Sequence, residues 1–409
     1  MSVRAKLFVM MVFEIFILGA WQPKIFSYMT LRGFEPWQQS LVGSTFGIAA
    51  LLGIFFSNQF ADRNFASQRF LAFSHALGGL ALFGAAFQTD FWPFFALFLA
   101  YGILYVPTIS VTNSLAFAHL ADPAREFGVI RMGGTIGWIA ASWPFVFLLA
   151  GKEGPELVDA TKWIFLVAAS ASFAMAAFSL TLPHTPPRRD ATGLDRLAWM
   201  RAARLLATPF VLVLFVVTFI DSFIHNGYFV LSDAFLTTRV GIGANMSMVV
   251  MSIGQVAEIA AMVVLGRVLV RLGWKWTLVL GITGHLLRFA VFAYFPDATG
   301  LIVAIQLLHG ICYAFFFATV YIFVDEVFPK DVRASAQGLF NLLILGVGMV
   351  LAGTIFPELR ARYTVDGVTD WRGLFLIPTG LAALAVILMA LFFRPPSARP
   401  AEVGASANP

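Results

Sequence analysis

The sequence predicts an all-α membrane protein with twelve transmembrane helices in two six-helix halves. The first observation behind this prediction is composition, because 59% of the 409 residues are apolar and only 12% are charged. Soluble proteins carry about twice that charged fraction. The second is a succession of apolar segments, each of the ~20 residues that a helix needs to cross a bilayer. The third is one long polar break near the middle of the chain, at residues 183–205.

Short polar loops separate the twelve predicted segments, so both termini lie on the same side of the membrane. Lys and Arg are more frequent in the loops on that side than in the opposite loops. Cytoplasmic loops carry such an excess, so we expect both termini in the cytoplasm. The segments lie near residues 6–31, 37–60, 69–88, 91–119, 128–150, 161–182, 206–235, 243–268, 275–295, 299–325, 335–357 and 372–394.

The polar break divides the chain into domains. Pro183, Pro186 and Pro187 end the sixth predicted helix, because proline lacks the backbone N–H that a helix interior needs. We predict an N-terminal half at 1–183, a cytoplasmic linker at 184–205, a C-terminal half at 206–395 and a disordered tail at 396–409. Two six-helix halves joined by a basic linker resemble the major facilitator fold, in which substrate binds near the membrane midplane between the halves.

Composition also excludes several classes of function. The net charge is +5, but the basic residues lie in loops where they set topology, so we expect a lipid bilayer around the protein and no nucleic acid. Cys312 is the single cysteine, which excludes an internal disulfide and a cysteine metal site. The sequence has no nucleophile–base pair, and its histidines lack metal-ligand spacing. We expect no enzyme activity, no metal and no cofactor, and a monomeric protein.

An acidic residue lies in the middle of the apolar segment 249–264. Gln255 and Glu258 are three residues apart and share one face of the predicted helix, whereas its other faces are apolar. A charged side chain at the bilayer centre costs at least ~2.5–3.5 kcal/mol. We therefore expect Gln255 and Glu258 to face a polar cavity between helices.

A second polar stripe lies on the segment 128–150. Arg131, Thr135 and Trp138 are spaced at i, i+4 and i+7, which places them on one face of a helix. Arg131 lies near the start of its segment, so it either extends to the cytoplasmic interface or faces the cavity. Three glycines in the same stretch allow a neighbouring helix to approach closely: Gly133, Gly134 and Gly137.

Aromatic and polar residues alternate on two segments of the C-terminal half. Asn226 and Phe229 lie on 206–235, and His309 and Tyr313 are four residues apart on 299–325. Aromatic rings beside amide and hydroxyl groups suit a ring-shaped polar solute, although helix packing explains most of the phenylalanines. For His309 and Tyr313 both interpretations stay open.

Three further ionisable residues lie inside apolar segments: Glu14, Arg288 and Asp325. We interpret Arg288 and Asp325 as members of structural ion pairs or as interface groups. Glu14 is a candidate second proton site, because intramembrane acids commonly serve proton transfer.

Five segments resemble the bacterial nucleoside–proton symporter family, in that family's order and across almost the whole chain. They are Gly19–Trp21, Ile130–Trp138, Met251–Glu258, Leu287–Tyr294 and Arg333–Phe340. The resemblance implies uptake of nucleosides, such as uridine or adenosine, driven by protons across the bacterial cytoplasmic (inner) membrane.

The resemblance also implies a set of site residues. By position, Arg131, Thr135 and Trp138 match the family's binding stripe, and Gln255 and Glu258 match the amide and acid that hold the nucleoside. Asn226, Phe229, His309 and Tyr313 fall at or near further binding positions. Ala314 is a departure, since some members carry an acid directly after the position of Tyr313.

The expected mechanism is alternating access, with Glu258 and Glu14 as proton-coupling acids. Three alternatives stay open: a proton-linked sugar or oligosaccharide carrier, an uncoupled nucleoside facilitator, and a membrane sensor that binds without transporting.

Overall fold

The computed structural model describes residues 1–52, 65–186, 204–328 and 333–395, and these are predominantly helical. The two described strands, Thr364–Val365 and Val368–Thr369, form one small antiparallel hairpin. Most of the predicted linker, residues 187–203, lies outside the described residues, and so does the predicted tail at 396–409. A mostly helical protein is thus confirmed for the part of the chain that the structure describes, whereas the hairpin departs from the all-α prediction.

Within residues 1–52 and 65–186, the structure describes eight helices. They are α1 (Val3–Trp21), α2 (Ile25–Leu31), α3 (Pro36–Leu52), α4 (Ser67–Ala85), α5 (Phe91–His119), α6 (Pro123–Leu148), α7 (Gly154–Ala160) and α8 (Trp163–Ser179). The predicted segment 6–31 forms two helices rather than one. Pro23 lies at the break between α1 and α2, where its ring and its missing N–H prevent a continuous helix.

The described residues from 204 onwards contain six helices, after a 3₁₀ turn at Leu205–Ala207. They are α9 (Pro209–Thr238), α10 (residues 247–272), α11 (274–294), α12 (Thr299–Val327), α13 (333–362) and α14 (Trp371–Phe392). Gly273 separates α10 from α11 with φ 69° and ψ 176°, a backbone conformation that glycine adopts without strain. Two π-helical stretches lie within this group: Tyr313–Ala318 in α12 and Leu342–Val347 in α13.

Within the described ranges, seven helices are long and apolar enough to cross a membrane. This agrees with a multi-pass membrane protein. The count of twelve spans, and the division into halves at 1–183 and 206–395, stay predictions.

Contacts group the chain into two compact units. The first consists of Met1–Ala191, Phe229–Ser252 and Gly353–Glu358, and the second of Thr192–Tyr228, Ile253–Ala352 and Leu359–Pro409. In the first unit, α1 packs closely on α6 through the predicted glycines. A Cβ atom at Gly137 would lie 2.1 Å from the Val12 carbonyl oxygen, and one at Gly133 would lie 2.7 Å from that of Phe8. The expected close helix approach is confirmed.

The second unit has an apolar core made mainly by α9, α11, α12 and α14. Its buried members include Val217, Trp274, Phe316, Phe323 and Phe393. This core lies beside the polar residues of α9, α11 and α12, so it fixes how those three helices are rotated about their axes.

A buried ion pair lies in the first unit. The Lys24 ammonium donates to Asp233 Oδ1 at 2.7 Å and to the Ser247 hydroxyl at 2.9 Å. Lys24 is 1% exposed and Asp233 is 2% exposed. The pair joins the start of α2 to α9 and to the first residue of α10. Neither charge has access to water, so each depends on the other for compensation.

We predict that Lys24→Met destabilises the protein strongly, because removing one partner of a buried ion pair leaves an uncompensated charge at a cost of about 3–5 kcal/mol. Thermal unfolding of the detergent-solubilised protein measures this. Lys152→Met is the matched control, since Lys152 pairs with Glu156 at the surface. Equal melting temperatures for Lys24→Met and the wild type would contradict the prediction.

Candidate functional site

The predicted stripe on α6 contacts a second predicted site residue. The rings of Trp138 and Phe229 meet edge-on, with centroids 5.6 Å apart. Both side chains are half-buried, as are Arg131 and Thr135. The Arg131 guanidinium lies along its own helix beside Gly134. A Cβ atom added at Gly134 would lie 2.5 Å from Nη1 of Arg131. The first unit thus presents an aromatic pair next to a cation and a hydroxyl.

In the second unit, α12 packs directly on the part of α10 that carries Gln255 and Glu258. A Cβ at Gly310 would lie 2.1 Å from the backbone nitrogen of Glu258, and one at Gly254 would lie 2.7 Å from Cβ of His309. Glycine on both helices permits this approach. As a result His309 is held beside the turn of α10 that bears the amide and the acid.

Gln255 has an unusual hydrogen-bonding state. The residue is 6% exposed, and its Oε1 atom has no hydrogen-bond partner among the described residues. Buried side-chain polar atoms usually have a partner, so this oxygen can accept a hydrogen bond from a group that enters the site. By contrast, the Asn226 amide donates to the Ser222 carbonyl at 2.8 Å, within its own helix.

A cluster of ionisable groups lies next to these residues. We call Asp221, His225, His285, Arg288 and His309 the histidine cluster. Asp221 Oδ1 lies 2.9 Å from His285 Nδ1, and Arg288 Nη1 lies 2.7 Å from His309 Nδ1. The rings of His225 and His309 stack, with centroids 4.9 Å apart. Half-buried Tyr313 lies near His225, with a centroid distance of 6.3 Å.

Glu14 lies in a separate cluster inside the first unit. It is 1% exposed. Its Oε1 accepts a hydrogen bond from the Thr108 hydroxyl at 2.6 Å, and its Oε2 lies 3.0 Å from His75 Nε2. The Ser172 hydroxyl in turn donates to the His75 carbonyl at 2.8 Å. The carboxyl group is therefore held by side chains of α4 and α5.

One family profile, described as "Nucleoside H+ symporter", matches residues 1–398. The chain belongs to this family. Curated relatives agree: it is 33% identical to "Putative nucleoside transporter YegT" of Escherichia coli (strain K12), over 96% of this chain and 94% of that protein. It is 30% identical to "Nucleoside permease NupG" and to "Xanthosine permease" of the same strain, over 96% of each chain. The predicted family is confirmed.

Solved structures support the fold. The crystal structure of the nucleoside transporter NupG superimposes with a TM-score of 0.84 at 25% identity, covering 97% of this chain and all of that one. A D-xylose–proton symporter has a TM-score of 0.73 at 13% identity, over 96% and 98% of the two chains, which shows a shared fold alone. The chain therefore has a major facilitator-type fold and is a transporter rather than an enzyme.

The structure brings the predicted site residues together in two groups. Arg131, Thr135, Trp138 and Phe229 lie in the first unit, whereas the other five lie in the second: Asn226, Gln255, Glu258, His309 and Tyr313. Glu14 belongs to neither group, because it lies with His75 and Thr108. The roles of these residues in this family member stay predictions.

Arg288 lies elsewhere than at the interface position that its sequence context suggests. The residue is fully buried, its guanidinium lies 4.0 Å from the centroid of the Tyr228 ring, and it donates to His309. It belongs to the histidine cluster and not to an interface. One sequence feature predicts this position. His285 and Arg288 are three residues apart on an apolar segment, so they share one face of its helix. Asp325, by comparison, forms a partly exposed pair with Arg333 at 3.5 Å.

We predict that Gly310→Ala lowers both stability and nucleoside binding, because the new methyl group would separate α12 from α10 next to Glu258. Overpacking of this kind costs about 1–3 kcal/mol. Gly266→Ala on α10 is the control, since a Cβ there meets nothing within 4 Å. Thermal unfolding and uridine binding measured on both variants check the prediction, and identical behaviour of the two would contradict it.

Proposed function

We propose that the protein takes up nucleosides together with protons across the bacterial cytoplasmic membrane, and that the nine predicted site residues bind the nucleoside. The observation that carries this proposal is the match of the nucleoside–H⁺ symporter family to residues 1–398. Alternating access agrees with the transporter structures that share the fold.

The chemistry of the site residues supports the nucleoside assignment. A nucleoside combines a flat base, whose faces favour aromatic contact and whose edges carry hydrogen-bond donors and acceptors, with a polar ribose. Trp138 and Phe229 offer aromatic surface, and Tyr313 offers a further ring. Gln255 offers a buried acceptor that lacks a partner among the described residues, which suits an N–H group of a base edge. Arg131 and Thr135 supply donors.

Glu258 is the proposed proton-linked acid. It is half-buried on α10, one helical turn from Gln255, so it can contact both the nucleoside and the proton source. Glu14 is the proposed second proton site, since its carboxyl group contacts His75 and is shielded from water. We further propose that both termini are cytoplasmic and that the protein acts as a monomer.

Gln255→Leu tests the proposed base contact. Removing a single neutral hydrogen bond typically costs 0.5–1.5 kcal/mol, so we expect the dissociation constant for uridine to rise about two- to tenfold. Isothermal titration calorimetry with uridine, adenosine and xanthosine measures the change for each base. Gln88→Leu, which removes an amide near the end of α4, serves as the control. Unchanged affinity for all three nucleosides in Gln255→Leu would exclude the contact.

Transport itself is tested with labelled uridine in proteoliposomes, with and without an inward proton gradient. We expect the wild type to accumulate uridine only with the gradient. Glu258→Gln should abolish accumulation and retain exchange, because the amide cannot take up the proton. Gradient-driven accumulation that persists in Glu258→Gln would disprove its coupling role.

The same assay separates the alternatives. Equilibration of uridine without accumulation in the wild type indicates an uncoupled facilitator. Absence of uridine flux together with gradient-driven disaccharide uptake indicates a sugar carrier.

A further inference from the structure

Three of the protein's six histidines lie in the histidine cluster. Asp221, His285 and Arg288 have no exposed surface, and His309 is 2% exposed. His225, in contrast, is half-buried. Ionisable groups inside a membrane are costly and mark ion or proton pathways when they occur together. The proposed nucleoside site uses only His309, so the other four need a different explanation.

The contacts arrange three of these groups in a row. Asp221 Oδ1 lies 2.9 Å from His285 Nδ1, and His285 Nε2 lies 3.4 Å from His225 Nδ1. An ionised carboxylate only accepts hydrogen bonds, so His285 Nδ1 carries a hydrogen and, in the neutral ring, Nε2 is the acceptor. His225 then donates from Nδ1, and its Nε2 bears the lone pair. The row therefore begins at the buried carboxylate of Asp221 and ends at Nε2 of His225, which is the most exposed of the three residues.

The charges of the cluster balance in this state. Arg288 is always protonated, so its Nη1 donates to His309 Nδ1. With Asp221 ionised and the three histidines neutral, the positive charge of Arg288 and the negative charge of Asp221 cancel. An additional proton gives the cluster a net positive charge. The other titratable groups packed around the row are Tyr228 on α9 and Cys312 and Tyr313 on α12.

We propose that Asp221, His285 and His225 form a proton relay that holds a coupling proton during transport, an inference that rests on the proposed function. A proton binds His225 Nε2, the Nδ1 proton of His225 passes to His285 Nε2, and the Nδ1 proton of His285 passes to Asp221. The product is a neutral carboxyl group and two neutral imidazoles with exchanged tautomers. Release of the proton to the cytoplasm reverses these transfers.

The relay has a physical connection to the nucleoside site. His225 stacks on His309, and His309 packs against Gly254 on α10, one residue before Gln255. Neutralising Asp221 leaves Arg288, the partner of His309, without an opposite charge in the cluster. The electrostatic energy of the contact between α11 and α12 therefore differs between the protonated and the deprotonated state. A proton can bias a conformational equilibrium only through such a difference.

Proteoliposomes containing the full-length protein test the relay through the variants Asp221→Asn and His225→Gln. Under an inward gradient of one pH unit, a one-proton symporter accumulates uridine about tenfold, whereas an uncoupled carrier only equilibrates it. We expect the wild type to accumulate uridine and both variants to equilibrate it, while uridine counterflow continues in all three. His119→Gln is the matched control. His119 contacts the Thr185 hydroxyl in the first unit, whereas the histidine cluster lies in the second unit. It should accumulate uridine as the wild type does.

Each result has a separate meaning. Absence of uridine transport by the wild type disproves the proposed function, independently of the variants. Normal accumulation by Asp221→Asn and His225→Gln overturns the relay. If the variants also lose counterflow, a second measurement tests the relay. Uridine is added to the detergent-solubilised protein, and a pH indicator follows proton uptake. Uridine binding without proton uptake supports the relay, whereas proton uptake that matches the wild type, or loss of uridine binding in both variants, overturns it.

Discussion

Every ionisable side chain inside the apolar part of this protein must find its partner within the protein, because lipid supplies none. Three buried pairs among the described residues meet this requirement with contacts between different helices. Lys24 pairs with Asp233, Glu14 contacts His75, and Asp221 contacts His285. Each contact fixes the rotation of at least two helices about their axes. The same electrostatic requirement that positions the helices also positions the groups that protons and substrates use.

The sequence predicts the features that repeat along a single helix. The glycines of α6 predict the face that another helix approaches, and the resemblance of five segments to the family predicts the fold. These patterns depend on residues within one turn or two of each other, so periodicity is sufficient to find them.

Sequence patterns do not show which helix a polar face meets. Lys24 lies in a stretch predicted as one apolar helix, and its partner Asp233 is more than 200 positions away. His75 and His285 did not stand out either, because a single histidine in an apolar segment has many possible neighbours. For the same reason, the sequence alone leaves Arg288 as a member of an ion pair or an interface group. Only the packing of α9, α11 and α12 places it between Tyr228 and His309.

The π-helical stretch Tyr313–Ala318 separates two parts of α12 with different surroundings. His309 lies before it among polar groups, and Phe323 lies after it in the apolar core. Because a π turn holds one residue more than an α turn, the two parts are offset by about 100°, the rotation of one residue in an α-helix. Without the π turn, either His309 would leave the polar groups or Phe323 would leave the apolar core. Deleting a single residue here would therefore rotate the part of α12 that carries His309 by about 100° relative to the part that carries Phe323.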